Sequence, residues 1–565
     1  MICVGTGDPA EPYIKDKPSL QHIAAPDTFQ EMRKWLATCQ NQEGKHAKCE
    51  HPASDFSPTR LVKINDDGSI HLYEPSATST LKWVALSYCW GGEPPIKLTK
   101  SVYNTWLDEM PHSELPQTIK DAIRTTRELG LTYFWVDSLC IIQDSEEDMT
   151  TQLSQMARIY SHSELTISAS RAKTCRDGFL QDVQFPPSID LVFRLHFQCP
   201  DGKIGSVILH GMDDLHPPRE PVEERSWTLQ EHLLSPRVLV FGSRGVWWTC
   251  RTVNYNWYTP VSFLETAVTR LKFRNLFETQ KRRHMQWIPG DTWLSMVQNY
   301  TTRSMTKRED VFPAISGLAE YYADKMGTEY LAGFFRVSLL SSLIWKRDVK
   351  YGSALPRHEG YIAPTWSWAS VAGRVMWEGK RAPTSRYLEL VGCDVVPVSS
   401  EFPFGAIKSA RLTVKGRLKE ARWSSDRRML FDHQIPIQDF AITNTISDAQ
   451  DDLDGEKTKT VWCLEICSFD EKKENEEEPQ WERRDWGWKH PDNYRDSRKG
   501  IRGKGLVLEP GKDDGAFVRR GFYELRDRND EEKMVGRDPE DCARRLELLD
   551  RCWFDGVEPQ TVTIL

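Results

Sequence analysis

Two apolar runs of strand length stand out in the first third of the chain. Trp83, Val84, Ala85 and Leu86 lead into Ser87, Tyr88, Cys89, Trp90, Gly91 and Gly92. Tyr133, Phe134, Trp135 and Val136 lead into Asp137, Ser138, Leu139, Cys140, Ile141, Ile142, Gln143 and Asp144. Near-continuous apolar runs of this length suit strands buried on both faces, as in a parallel sheet covered by helices. Between them Ile119, Ala122, Ile123, Thr126 and Leu129 recur at helical spacing after Pro116, and Gly130 stops the pattern. Strand, helix, strand predicts a right-handed βαβ unit. Open α/β sheets carry their chemistry beyond the carboxyl ends of the strands, which points to residues 87–92 and 137–144.

The same patterning extends in both directions. Residues 60–64 and 69–73 alternate around Asn65, Asp66, Asp67 and Gly68, a hairpin signature. A second helix is expected after Asp144, capped by Asp144 or Ser145, with Glu146, Glu147 and Asp148 at the positive end of its dipole. Its stripe of Met149, Leu153, Met156 and Tyr160 reads as core. Residues 165–170 form a third short strand, and 191–197 with 204–209 an inserted hairpin around Asp201 and Gly202. Residues 223–234 read as a helix that brings Trp227, Gln230 and Glu231 together at three- and four-residue spacing. Strands follow at 238–241 and 245–250.

Residues 255–350 read as helical, with apolar patches at Trp293, Met296, Val297 and Tyr300, at Val311, Ile315, Leu318, Tyr321 and Tyr322, and at Leu331, Phe334, Phe335, Ser338, Leu339 and Ser342. From Tyr361 the pattern becomes β: residues 387–391 and 411–418 alternate with period two, 461–467 read as a strand, and 516–525 with 562–565 complete a small β domain. Two charge-dense stretches, 447–458 and 470–500, read as solvated loops. The expected fold class is therefore α/β. A parallel-sheet core with decorations is followed by a helical subdomain and a small β-rich C-terminal region. The corresponding boundaries are 1–58, 59–250, 251–355 and 356–565.

Composition narrows the function classes. Apolar residues at 39% and charged residues at 28% allow a large core and exclude wholesale disorder. The net charge, 74 − 82 = −8, argues against a general nucleic-acid or anionic-membrane binder. No leader pattern and no uninterrupted membrane-length apolar run is visible, so a cytoplasmic protein without a membrane span is expected. Thirteen cysteines, an odd number over a long chain, fit reduced thiols.

Cys39, His46, Cys49 and His51 are spaced closely enough for zinc, but the spacing is not that of a familiar finger. A compact loop with packed cysteines is the alternative, and no metal ligand is assigned from sequence. Cys463 and Cys467 share a strand face, more a packing signature than a metal one. Serine-hydrolase elbows, phosphate loops, His-Glu-x-x-His and dinucleotide Gly-x-Gly-x-x-Gly motifs are all missing.

Several longer motifs, in order, carry a resemblance. They are Ala85-Leu86-Ser87-Tyr88-Cys89-Trp90-Gly91, then residues 115–123, then Trp135-Val136-Asp137-Ser138-Leu139-Cys140, residues 156–161, and finally Arg225-Ser226-Trp227-Thr228-Leu229-Gln230-Glu231. Together they resemble the fungal heterokaryon-incompatibility (HET) domain over roughly residues 60–250, with a looser echo at 361–370. The resemblance implies a flavodoxin- or TIR-like order of elements and a cell-death or signalling role in non-self recognition, through protein partners or self-association.

The segment from Arg225 to Glu231 is also similar to the glutamate-bearing segment of TIR domains, some of which cleave NAD. By that fold-level analogy Glu231 is the candidate catalytic residue, and Ser87, Tyr88, Trp90, Asp137 and Trp227 are candidate ligand-binding residues. NAD would be a substrate, and no other cofactor is implied. Each has a plainer reading. Glu231 is a structural helix glutamate paired with Arg225 or Arg237, Asp137 caps a turn, Trp90 anchors one, and Cys140 is core. A scaffold that only assembles with partners remains open.

Overall fold

In the computed structural model the strand Trp83–Ser87 is buried along its whole length, as expected of an apolar run covered on both faces. It pairs in parallel with Tyr133–Trp135 on one side and Leu165–Ser168 on the other, and Arg237–Gly242 extends the parallel set. Antiparallel strands flank these four. The order across the sheet is Asn254–Tyr255, Gly245–Cys250, Arg237–Gly242, Leu165–Ser168, Trp83–Ser87, Tyr133–Trp135, Leu61–Ile64, Ile70–Tyr73. The structure describes residues 2–3, 7–14, 22–49, 56–76, 79–183, 192–210, 219–252, 254–255, 291–348, 355, 357–377, 384–424, 429–431, 443–448, 458–468, 501–513, 515–526 and 553–565. The chain divides into two compact units, Met1–Tyr322 and Ala323–Leu565.

In the first unit the helix Gln117–Glu128 is the crossover between Trp83–Ser87 and Tyr133–Trp135. It turns Ile119, Ala122 and Ile123 inward and ends where Gly130 takes a positive φ of 72°. Its buried Asp121 accepts hydrogen bonds from the backbone N–H groups of Phe179 and Leu180, at 2.7 and 3.2 Å, and so fixes the connector after the third parallel strand. Two ion pairs brace the sheet, one from Arg60 to the half-buried Asp148 of helix Glu146–Ser161, the other fully buried between the starts of two neighbouring parallel strands. Arg60 lies 2.5 Å from both carboxylate oxygens of Asp148, and Arg237 lies 2.9 Å from Glu164. Losing one member of such a pair strands a buried charge, at a cost of about 3–5 kcal/mol.

Three local readings change. The second apolar run stops as a strand at Trp135, and residues Asp137–Cys140 form one helical turn. Asp137 causes the change, because its carboxylate accepts the N–H of Ser138 at 2.7 Å. The expected helix over 223–234 is helical only at Thr228–Leu234. Before it lie a 3-10 turn, Pro221–Glu224, and an extended Arg225. Ser226 N–H bonds to Ser304 O at 3.0 Å, and this pairing draws residues 225–226 out of the helix. The inserted hairpin, Val192–Gln198 with Ile204–His210, joins Ile2–Cys3 in a separate three-stranded sheet. Helix Asp291–Tyr300 carries the first apolar patch of the 255–350 region, whereas the second is divided between 3-10 turns holding Val311 and Ile315 and the helix Ser316–Met326.

The second unit is built on an antiparallel sheet ordered Glu389–Pro397, Ile407–Ser424, Thr458–Ser468, Ile501–Pro510, Ala516–Arg526, Thr443–Ser447. Pro559–Ile564 pairs with both Ile407–Ser424 and Ala516–Arg526, so the strands close into a ring. Trp423, Val461, Cys463, Val507, Tyr523 and Phe554 fill the core. The patch from Leu331 to Ser342 is not one helix. Tyr330–Leu331 and Phe334–Phe335 form a hairpin, because Ala332 and Gly333 take φ values of 48° and 99°. Within the expected solvated stretch 447–458, Asp448 is instead buried in an ion pair with Arg519 at 2.8 Å. Arg519 also donates to Leu343 O and Trp345 O at 2.7 and 2.6 Å and stacks over the Trp345 ring. The 470–500 stretch lies outside the described residues. Among the described residues no helix is long and apolar enough to cross a membrane.

Candidate functional site

Ser87 is the last residue of the central parallel strand, and its Oγ donates to Glu231 Oε2 at 2.5 Å. Glu231 reaches it from helix Thr228–Leu234. Ser235 Oγ donates to Glu231 O at 2.6 Å and also lies 2.6 Å from Thr166 Oγ1, which fixes the end of the helix to the neighbouring strand. Gln230, one residue earlier, accepts the N–H of Gly317 at 3.2 Å. The helix is therefore clamped on two sides, and Glu231 is only 6% exposed.

Burial pushes the Glu231 carboxyl up to about 7, against the opposing pull of the Arg225 guanidinium and of the Ser87 and Tyr160 hydroxyls. Asp137 adds to the rise by like-charge repulsion. Arg225 donates to the carbonyl oxygen of Tyr88, the residue after Ser87. Burial works against its charge, yet Glu231 and Asp137 outweigh burial and raise its pKa. Arg303 donates to Arg225 O and Thr228 Oγ1, each at 3.2 Å, and burial lowers its pKa to about 10.

The rim of the site is set by Asp137. Its two carboxylate oxygens accept from Trp90 Nε1 at 3.2 and 2.9 Å, and burial raises its pKa. Tyr88 OH donates to Ser138 Oγ at 2.9 Å. Trp90 and Asp137 are half-buried, whereas Ser87 and Tyr88 are buried. Gly91, next to Trp90, has φ of 70°, and a Cβ there would lie 2.3 Å from Thr174 Cβ. Only glycine lets the loop lie this close to its neighbour.

Five of the six residues singled out from sequence thus gather at the carboxyl ends of two adjacent parallel strands: Ser87, Tyr88, Trp90, Asp137 and Glu231. The sixth, Trp227, turns elsewhere and donates to Asp310 at 3.2 Å. Of the two arginines considered as partners of Glu231, Arg225 acts on it and Arg237 pairs with Glu164 instead. Tyr160 lies on the expected core stripe but also donates to Leu86 O at 2.9 Å, beside Ser87. Arg303 had no sequence signal, since it stands outside every motif. Cys140 is fully buried and its thiol is pushed up to about 12 by burial. Cys39, His46 and Cys49 meet on other elements of the same unit, where Cys250 joins them, and His51 lies outside the described residues.

A single carboxyl poised near neutrality beside a buried cation can hold or release a proton, or face a developing positive charge once ionised. Residues 83–231 match the family model described as Heterokaryon incompatibility protein (HET). No curated protein and no solved structure matches the chain. The match opens on the first residue of the central strand and closes on Glu231 itself, enclosing the whole Ser87–Asp137–Arg225–Glu231 cluster; residues 83–231 of the chain are a HET domain.

Proposed function

We propose that this protein is a cell-death effector of non-self recognition, and that its HET domain acts as an NAD glycohydrolase centred on Glu231. The observation that carries the reading is the Glu231 carboxyl held 2.5 Å from Ser87 at the carboxyl end of the central parallel strand. In such a reaction water cleaves the nicotinamide–ribose bond and yields nicotinamide, ADP-ribose and a proton. Positive charge develops on the ribose as the bond breaks, and an ionised Glu231 would stabilise it. Ser87 orients the carboxylate, Asp137 holds the half-buried Trp90 ring, and in this scheme that ring would meet the nucleotide.

The ionised form is the active one in this scheme. Turnover therefore rises with pH as Glu231 loses its proton near 7. A second reading is favoured by the depth of the same residue. Glu231 is buried and already paired, which suits a structural network in a scaffold that works by assembly alone.

NAD consumption by the purified full chain, wild type beside Glu231→Gln, separates the two. The catalytic reading expects turnover at high protein concentration that falls at least 100-fold in the variant while circular dichroism is unchanged. Absence of turnover under conditions where sedimentation shows self-association would overturn it in favour of assembly.

A further inference from the structure

We infer that Cys39, His46, Cys49 and Cys250 form a structural zinc site that fastens the N-terminal helix to strand Gly245–Cys250 of the eight-stranded sheet. Cys39 lies in the last turn of helix Pro26–Gln40, and His46 closes the 3-10 turn Gly44–His46. Cys49 follows within three residues, and Cys250 ends strand Gly245–Cys250. The four ligand atoms all lie within 4.8 Å of one another, and among the described residues this is the one group of three or more metal-ligating side chains so gathered. All four residues are buried, His46 to 1% exposure.

The chain between the first three ligands is shaped to converge. Gln42 and Gly44 take positive φ values of 58° and 54° and turn the chain back after the helix. Gln42 Nε2 donates to Cys49 O at 2.6 Å, and Cys49 N–H bonds to His46 O at 2.7 Å. A non-glycine residue held at positive φ is uncommon and is kept only where its surroundings demand it.

Distances separate a metal site from a chance meeting of thiols. Zinc with sulfur at about 2.3 Å and nitrogen at about 2.05 Å, in a tetrahedron, sets ligand edges of about 3.8 Å for S···S and about 3.6 Å for S···N. The observed edges are 3.5 Å for Cys49 Sγ to Cys250 Sγ, 3.7 Å for Cys49 Sγ to His46 Nδ1, and 3.4 Å for Cys250 Sγ to His46 Nδ1. A disulfide needs about 2.05 Å between sulfurs, so these are not disulfide distances. Three thiolates on Zn²⁺ leave a net charge of −1, which outer donors should face. Arg237 Nε lies 3.3 Å from Cys39 Sγ, and Thr252 Oγ1 lies 2.9 Å from Cys49 Sγ. Tetrahedral Cys₃His sites of this closed kind are structural.

The test is the metal content of the purified full chain after gel filtration, with Cys49→Ser, Cys250→Ser and, as a control outside the cluster, Cys393→Ser. One zinc per wild-type chain and per Cys393→Ser chain is expected, falling below about a fifth of an equivalent in the other two. Since either variant could misfold, wild type is also loaded with Co²⁺ alone. Thiolate-to-cobalt charge-transfer absorption together with an intense tetrahedral d–d band supports the site. Wild type that binds neither ion stoichiometrically, zinc content unchanged in both cluster variants, or a Cys49–Cys250 disulfide in non-reduced mass spectra would each overturn it.

Discussion

Replacing Glu231 by Gln keeps the shape of the side chain and removes its charge, so the comparison isolates the cost of ionising a carboxyl at this depth. Folding raises that carboxyl from 4.5 to about 7. Below pH 4.5 the group is protonated in both folded and unfolded chains and the rise has no effect on stability. Between 4.5 and 7 the unfolded chain releases the proton and the folded one keeps it. Stability is therefore lost progressively as pH rises through that window, and the full loss of about 3 kcal/mol stands above 7. Between pH 5 and pH 8 wild type should lose about 2–3 kcal/mol relative to Glu231→Gln. At about 2 °C per kcal/mol for a unit of this size, its melting temperature should fall by about 4–6 °C relative to the variant. His232, the neighbouring residue, is pushed down from 6.5 to about 4 by burial and by Arg303, so it adds stability as pH rises from 4 to 6.5, but it does so in both proteins. The assay is thermal unfolding of both proteins at half-unit pH intervals, and other groups cancel in the difference. A difference that stays flat from pH 5 to 8, or that grows in favour of wild type, would show that Glu231 is not a buried, proton-holding carboxyl.

Gly91→Ala should destabilise the HET domain by at least about 2 kcal/mol, through positive φ and a clash with Thr174, whose Cα would lie 2.7 Å from the new Cβ. Urea unfolding followed by tryptophan fluorescence reads the loss, and a change below 0.5 kcal/mol would contradict the loop geometry. In the second unit, Arg519→Ala should cost about 3–5 kcal/mol by stranding Asp448 without its guanidinium. Chemical unfolding checks it, and a loss below about 1 kcal/mol would contradict the pairing.

Much of the α/β core was legible because burial on both faces writes itself into the chain. The run from Trp83 to Leu86 and the helical spacing from Ile119 to Leu129 admit few other readings. The meeting of Ser87 and Asp137 followed from the rule that parallel strands end on one side, whereas Glu231, on a helix, was reached only through the family resemblance. What was not legible depends on tertiary partners. Nothing local in Arg225 or Ser226 announces that Ser304 will draw them out of a helix. Asp448 reads as a solvated loop residue until Arg519 arrives beside it from 71 positions away. Cys250 carried no metal-ligand spacing at all, because its partners end 201 positions earlier. The hairpin at Ala332 and Gly333 was missed for a different reason. The apolar residues around it mimic helical spacing, and the turn rests on two backbone angles.

The separation of Cys49 and Cys250 also has a temporal side. A ribosome working at about 5–20 residues per second needs roughly 10–40 s to pass from one to the other. Over that interval the helix Pro26–Gln40 can settle on the helix Gln117–Glu128, where Arg124 covers the Phe29 ring, but lacks strand Gly245–Cys250 and the fourth ligand. One side of the parallel set is equally late, since Leu165–Ser168 pairs early with Trp83–Ser87 and gains Arg237–Gly242 only afterwards. The fourth ligand is therefore the last to arrive, and chains cut short before residue 250 should hold Cys39, His46 and Cys49 as free, reactive groups.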